Sequence, residues 1–177
     1  MQSRMMVLMR PGEETQLSKF AGELWHDAYD GLLGGAQVDH MMRTIQSEEA
    51  IRRQIEKENY IYFFLFSEGA RAGYCALKPE EEKLFLSKLY LSEKFRGRGL
   101  GQRALREVAD CARRLGLKSV YLTVNKHNAR AIRAYESFGF VRTASAVTDI
   151  GEGFVMDDYI YEYAVSYTHL TLPTILR

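Results

Sequence analysis

At 177 residues with 46% hydrophobic composition, the chain is sized for one domain with a substantial core. Lys plus Arg (24) nearly cancels Asp plus Glu (23), so no overall basic field exists to hold a nucleic acid or an anionic membrane surface, and electrostatic recognition has to be local. No stretch reaches the roughly 18 apolar residues of a membrane span, and the start has no long apolar run, so a soluble, unexported, cytoplasmic protein is expected. Cys75 and Cys111 have no close-spaced cysteine partner and lie among apolar neighbours, which predicts buried free thiols suited to a reducing compartment.

Residues 5–9 form a short apolar run closed by Pro11 and Gly12, predicting an opening strand and a turn. Over 14–29 the apolar residues Leu17, Phe20, Ala21, Leu24 and Ala28 recur at helical spacing. Gly31, Gly34 and Gly35 then interrupt the pattern, and a short second helix fits 36–43. Ser47 ahead of Glu48, Glu49 and Ala50 reads as a helix cap, with Ile51 and Ile55 on one face of a helix to residue 57. The runs 60–66 and 70–77 predict strands joined by a hairpin at Glu68-Gly69, and 84–91 predicts a third. Three adjacent antiparallel strands follow.

The segment after that third strand is the most informative in the chain. Arg96, Gly97, Arg98, Gly99, Leu100, Gly101 and Gln102 join a strand end to a helix start. Glycines at such a junction leave backbone N–H groups unpaired and aimed at one spot, which suits a phosphate. Leu100, Ala104, Leu105, Val108, Ala109 and Ala112 then mark an amphipathic helix ended at Gly116. A strand over 119–124, a helix over 129–137, a strand running from the Gly139-Phe140 turn to residue 147 and a last strand over 156–163 complete the reading. The β-α-β order around the glycine loop implies some parallel pairing in a mixed sheet with helices on its faces. Residues 166–177 have no clear period and follow a complete strand; they read as vector or adapter read-through, or else as a disordered native tail.

The pattern Arg96-x-x-Gly99-x-Gly101, between strand and helix, resembles the cofactor signature of the Gcn5-related N-acetyltransferase (GNAT) superfamily, and the segment with Asn125, Asn128, Tyr135, Gly139 and Phe140 resembles its later strand end, helix and turn. A Rossmann reading is weaker, because three strands precede the loop and a G-x-G-x-x-G fingerprint is lacking. The resemblance implies an α/β (α+β) domain over 1–165, with a mixed, mostly antiparallel central sheet of about seven strands flanked by helices and splayed at the cofactor site. Acetyl-CoA is the implied cofactor, its pyrophosphate at Arg96, Gly97, Arg98, Gly99, Leu100, Gly101 and Gln102. By the same resemblance the backbones of Leu89 and Leu91 hold the pantetheine arm and Asn125 bonds the cofactor. Asn128 divides between that role and capping its helix, and Arg130 and Arg133 face either phosphate or solvent. Tyr135 is either the acid that protonates the leaving thiolate or a core aromatic beside Phe138 and Phe140; the family match favours the acid.

Acetyl transfer needs a neutral amine, so a base must take a proton from the acceptor. Glu23 and His26 are candidates, with an exposed helix face as their alternative, and no single base is singled out. Trp25, Tyr29, Asp149 and Asp157 are the implied acceptor-binding residues, the alternatives being that Asp149 shapes its turn and that Asp157 or Asp158 only solvates a strand edge. From residue 5 to about residue 163 the chain looks closest to a bacterial subgroup containing spermidine/spermine acetyltransferases, which implies a primary amine of a small cationic acceptor, polyamines first, attacked directly in a ternary complex. An aminoglycoside, an amino acid, a protein N-terminus, or a noncatalytic acyl-CoA sensor or interaction domain remain as alternatives. The four histidines show no H-x-x-x-H spacing, so no metal is expected. The family's habit makes a homodimer possible.

Overall fold

A computed structural model describes residues 3–165; the segment 166–177 set apart above lies outside the described residues. In chain order the elements are β1 (Met6–Leu8), α1 (Glu14–Leu33), α2 (Gly35–Ile45), α3 (Glu48–Lys57), β2 (Ile61–Ser67), β3 (Ala70–Pro79), β4 (Lys83–Leu91), α4 (Leu100–Arg114), β5 (Ser119–Asn125), α5 (Ala129–Phe138), β6 (Val141–Gly151) and β7 (Phe154–Ala164). They build one seven-stranded sheet in the order β1-β2-β3-β4-β5-β7-β6. Every neighbouring pair is antiparallel except β4 and β5. The mixed, mostly antiparallel sheet flanked by helices is therefore present as expected.

Strand alternation divides the core into two layers. On β3, Cys75 and Leu77 face a cluster with Leu105 and Val108 of α4, while Tyr74 and Ala76 face Leu17, Leu24 and Met41 of α1 and α2. Burial on both faces explains why this central strand is apolar along its length. Cys75 is buried and Cys111 only partly so. Among the described residues no helix is long and apolar enough to cross a membrane.

Local signals explain several boundaries. Ser47 Oγ accepts from the Ala50 N–H at 3.1 Å and starts α3 as anticipated. Glu68 and Gly69 both take positive φ, 52° and 78°, as a two-residue hairpin turn of this hand requires. The first helix runs past its expected end at residue 29, because an isolated glycine such as Gly31 costs only about 1 kcal/mol against alanine in a helix. It stops at Gly34, where φ reaches 83°. The last hairpin is longer than expected: β6 continues to Gly151 and β7 begins at Phe154, so Asp149 lies on a strand and Glu152-Gly153 form the turn. His40 of α2 ties this hairpin down, with Nε2 against the Ile150 carbonyl and Nδ1 3.1 Å from the Glu152 carboxylate.

Candidate functional site

The sheet opens at its parallel pair. β4 and β5 are in register only at Lys83–Ser119, Leu84–Val120 and Phe85–Tyr121, the last pair closing with stacked rings 4.8 Å apart. Beyond it, β4 stays paired to β3 as far as Leu91 and β5 to β7 as far as Asn125, so their facing edges separate. A bulge explains the divergence. Ala76 faces Lys88 while Leu77 faces Leu86, leaving Ser87 as an extra residue that bends β4 away. Gly73 fixes the bent strand from behind: a Cβ there would sit 2.0 Å from the Tyr90 carbonyl oxygen, so only glycine admits this approach.

The glycine loop lies at the open end. Gly99 is the N-cap of α4 in the left-handed conformation, φ 74°, and Gly97 has φ 76°. No side chain caps the helix, and its first turn carries no acidic residue. Its first amides are thus offered to an anion, reinforced by the positive end of the helix dipole.

A cavity of about 260 Å³ fills the split. Leu89, Leu91, Arg96, Gly97, Gly99, Leu100, Gly101, Asn128 and Tyr135 line it, as does Arg130. Arg98 lies outside the lining and packs over Phe95, 5.4 Å from its ring. Gln102 is outside it too; its Nε2 donates to the Ala134 carbonyl at 3.0 Å and ties α4 to α5. Arg96 ion-pairs with Asp27 at 2.9 Å, joining the loop to α1. The helix α5 has no buried residue, whereas six residues of α4 are buried. Its inner face is turned toward the cavity.

Asn128 caps α5, accepting from the Ala131 N–H at 3.3 Å, and still reaches the cavity wall. Tyr135 is half-buried beside Phe140, ring centroids 5.7 Å apart. Burial pushes its hydroxyl pKa up, with Tyr29 adding to the shift, so the phenol keeps its proton at neutral pH. The two roles left open for this tyrosine are compatible, since the ring packs in the core layer while the residue lines the cavity.

A second cavity of about 210 Å³ lies on the α1–α2 side and shares Tyr29, Ser87, Lys88, Tyr90 and Thr123 with the first. Trp25, Tyr29 and Tyr90 form its aromatic wall, ring centroids 5.7 to 6.2 Å apart, and the Tyr29 and Tyr90 hydroxyls meet at 2.8 Å. Asn125 lines this cavity rather than the first; its Oδ1 accepts from the His127 N–H at 2.9 Å and shapes the turn after β5. Opposite Asn125 in register is Asp158, 7% exposed, with its pKa pushed up to about 6 by burial and by neighbouring Asp157.

Four of the residues anticipated on the acceptor side line neither cavity. Glu23 is exposed on α1. His26 is held between Asp30 at 2.7 Å and Asp39 at 2.9 Å; its bond to Asp30 chiefly raises its pKa. Asp149 accepts from the Gly151 N–H at 2.8 Å, and Asp157 pairs with Lys126 at 2.9 Å. Asp158, Lys88 and Tyr90 line the second cavity, although none was among the expected acceptor-binding residues. Strand alternation in Asp157-Asp158 implied that only one carboxylate could face inward, but the register needed to choose was not local.

A model described as the Acetyltransferase (GNAT) family matches residues 23–140. An uncharacterized N-acetyltransferase of Bacillus subtilis (strain 168), YdgE, is 32% identical over 108 residues, 55% of this chain and 68% of that protein. The spermine/spermidine N(1)-acetyltransferase of the same strain is 31% identical over 85 residues, 43% of this chain, and the match spans just over half of that protein (56%). The crystal structure of PaiA N-acetyltransferase from Thermoplasma acidophilum in complex with coenzyme A superposes with a TM-score of 0.75 at 20% identity, over 92% of this chain and 99% of that one. At that identity the likeness is one of fold.

Proposed function

The chain belongs to the acetyltransferase (GNAT) family, and from that premise we propose that it transfers an acetyl group from acetyl-CoA directly to the primary amine of a small acceptor. The observation that carries this reading is the β4–β5 split, which opens between an uncapped helix N-terminus and a second, polar-lined cavity. The residues present fit coenzyme A: free first-turn amides suit a diphosphate, and unpaired strand edges suit an amide-bearing arm. When bound, acetyl-CoA supplies an activated thioester carbonyl for the amine to attack.

The chain's own residues then have distinct tasks. The loop from Gly97 to Gln102 holds the diphosphate through backbone N–H groups, with Arg96 adding charge. The backbones of Leu89 and Leu91 align the arm along the open edge. Tyr135, kept protonated by burial, donates to the departing sulfur. Asp158 faces the acceptor cavity and is mostly ionised at pH 7, so it can take the proton that an ammonium must lose before attack. It is preferred to the candidates Glu23 and His26 because they do not line the cavity.

A polyamine acceptor is supported by the likeness to the spermine/spermidine enzyme. The cavity's charges weigh against it, because Asp158 is its sole acidic residue among the described ones and Lys88 adds a cation. The direct test follows free coenzyme A release from acetyl-CoA across a panel of amines that includes spermidine. Amine-dependent release supports transfer; tight acetyl-CoA binding without release from any amine overturns it in favour of a noncatalytic binding role.

A further inference from the structure

We infer that the acceptor carries an acid group as well as its amine, and that Lys88 is the residue that reads the acid. The inference rests on the acetyl-transfer reading above and names the substrate class of the same site.

Lys88 is only 6% exposed, on a strand position between the apolar Leu86 and Leu89, and it lines both cavities. Burying an ammonium without a carboxylate partner costs several kcal/mol, and a leucine or methionine would fill the volume without that cost. Its Nζ donates to Ser87 Oγ at 2.7 Å and lies over the rings of Tyr60 (5.2 Å) and Tyr62 (5.9 Å). No carboxylate lies within ion-pair distance of it among the described residues. Glu58, the acid that acts on it electrostatically, is engaged with Arg53 at 3.3 Å. Rings and a hydroxyl leave the ammonium donors underused.

The same cavity is also lined by Asp158 on β7, and β5 lies between β4 and β7 in the sheet. The two charged groups are therefore held apart rather than paired. A cavity with a carboxylate and an amine held a strand apart complements an amino acid or a similar acid-bearing amine, with ammonium toward Asp158 and acid toward Lys88. A polyamine would meet one favourable group and one repulsive one. Burial pulls the Lys88 pKa down to about 7, so the empty cavity does not hold a full charge, and an arriving anion draws a proton onto the amine.

The test measures coenzyme A release with matched acceptor pairs that differ only by the acid: lysine with cadaverine, phenylalanine with phenethylamine, ornithine with putrescine. In the wild type the acid-bearing member is expected to lead in kcat/KM by about tenfold or more, the worth of one charge-assisted bond. Lys88→Met should bring the ratio within each pair to about one, and Lys88→Arg should retain part of it, circular dichroism confirming both folds. Equal or better turnover of the bare amines by the wild type overturns the inference, as does a ratio that survives in folded Lys88→Met. If Lys88→Met does not fold, the wild-type pairs decide alone. No release from either member of any pair would overturn this inference, and the acetyl-transfer reading falls with it only when the wider amine panel also gives none; release from the bare amines alone would sink only the inference.

Discussion

The two cavities are built on opposite principles. The first takes its anion site from backbone in a short stretch of chain, the left-handed Gly97 and Gly99 and the open end of α4, and completes its walls with the free edge of β4 and side chains such as Arg130 and Tyr135. The second is made of side chains from distant elements, with Trp25 and Tyr29 from α1, Lys88 and Tyr90 from β4, and Asp158 from β7. A diphosphate needs several convergent N–H donors, which one helix terminus supplies. An acceptor needs a particular spacing of charge and ring, which only a folded sheet supplies. On the proposed reading, the division teaches that cofactor binding can sit in one motif while acceptor choice is set by side chains on the other side.

Substitutions can break that division. Tyr135→Phe should lower kcat by about a hundredfold, the ordinary contribution of a general acid, while acetyl-CoA affinity measured by calorimetry stays put. A parallel fall in both would make Tyr135 a packing residue rather than a proton donor. Asp158→Asn should cost a similar factor in kcat/KM. The base must be unprotonated to act, so wild-type kcat/KM should rise as pH passes about 6, and that limb should vanish in the variant.

Asp158 also gives a stability prediction with a fixed sign. Its folded-state pKa lies above the ordinary 3.8, so the folded protein binds the proton more tightly than the unfolded chain. Stability from this group is therefore greatest below pH 3.8 and falls as pH rises through about 6. Asp158→Asn removes the cost, and thermal unfolding should show the variant more stable at pH 7 by about 1–3 kcal/mol, with the gain shrinking at low pH. A variant less stable at pH 7 would mean that the carboxylate is held by bonds worth more than its burial costs.

Smaller effects sharpen the backbone side. Gly99→Val places a β-branched residue at φ 74°, a strained conformation, and should weaken acetyl-CoA binding by about tenfold with acceptor preference unchanged. Arg96→Met should weaken it only about two- to threefold, since its charge is already partly compensated by Asp27 and screened by solvent. A larger loss from Arg96 than from Gly99 would shift the anion site from backbone to side chain.

The same contrast sets what the sequence alone could disclose. Strand and helix order, the Ser47 cap, the Glu68-Gly69 hairpin and the glycine loop all rest on signals within a few residues. The bulge at Ser87, the placement of β7 between β5 and β6, and the inward turn of Asp158 depend on register between strands far apart in the chain. Lys88 left a trace, being a lysine inside an apolar strand, and buried lysines are rare unless they serve something. The choice between catalytic and exposed readings of Glu23 and His26 stayed open because helical spacing says which face is polar, and not whether that face meets a cavity or solvent.

A crystal structure of the protein with coenzyme A bound is the measurement that bears most directly on the split between β4 and β5. The diphosphate should rest on the amides from Gly97 to Gln102, with the pantetheine arm beside Leu89 and Leu91 and the sulfur near Tyr135. Coenzyme A seated outside the opening, or an opening closed by β4–β5 pairing beyond Phe85, would contradict the account.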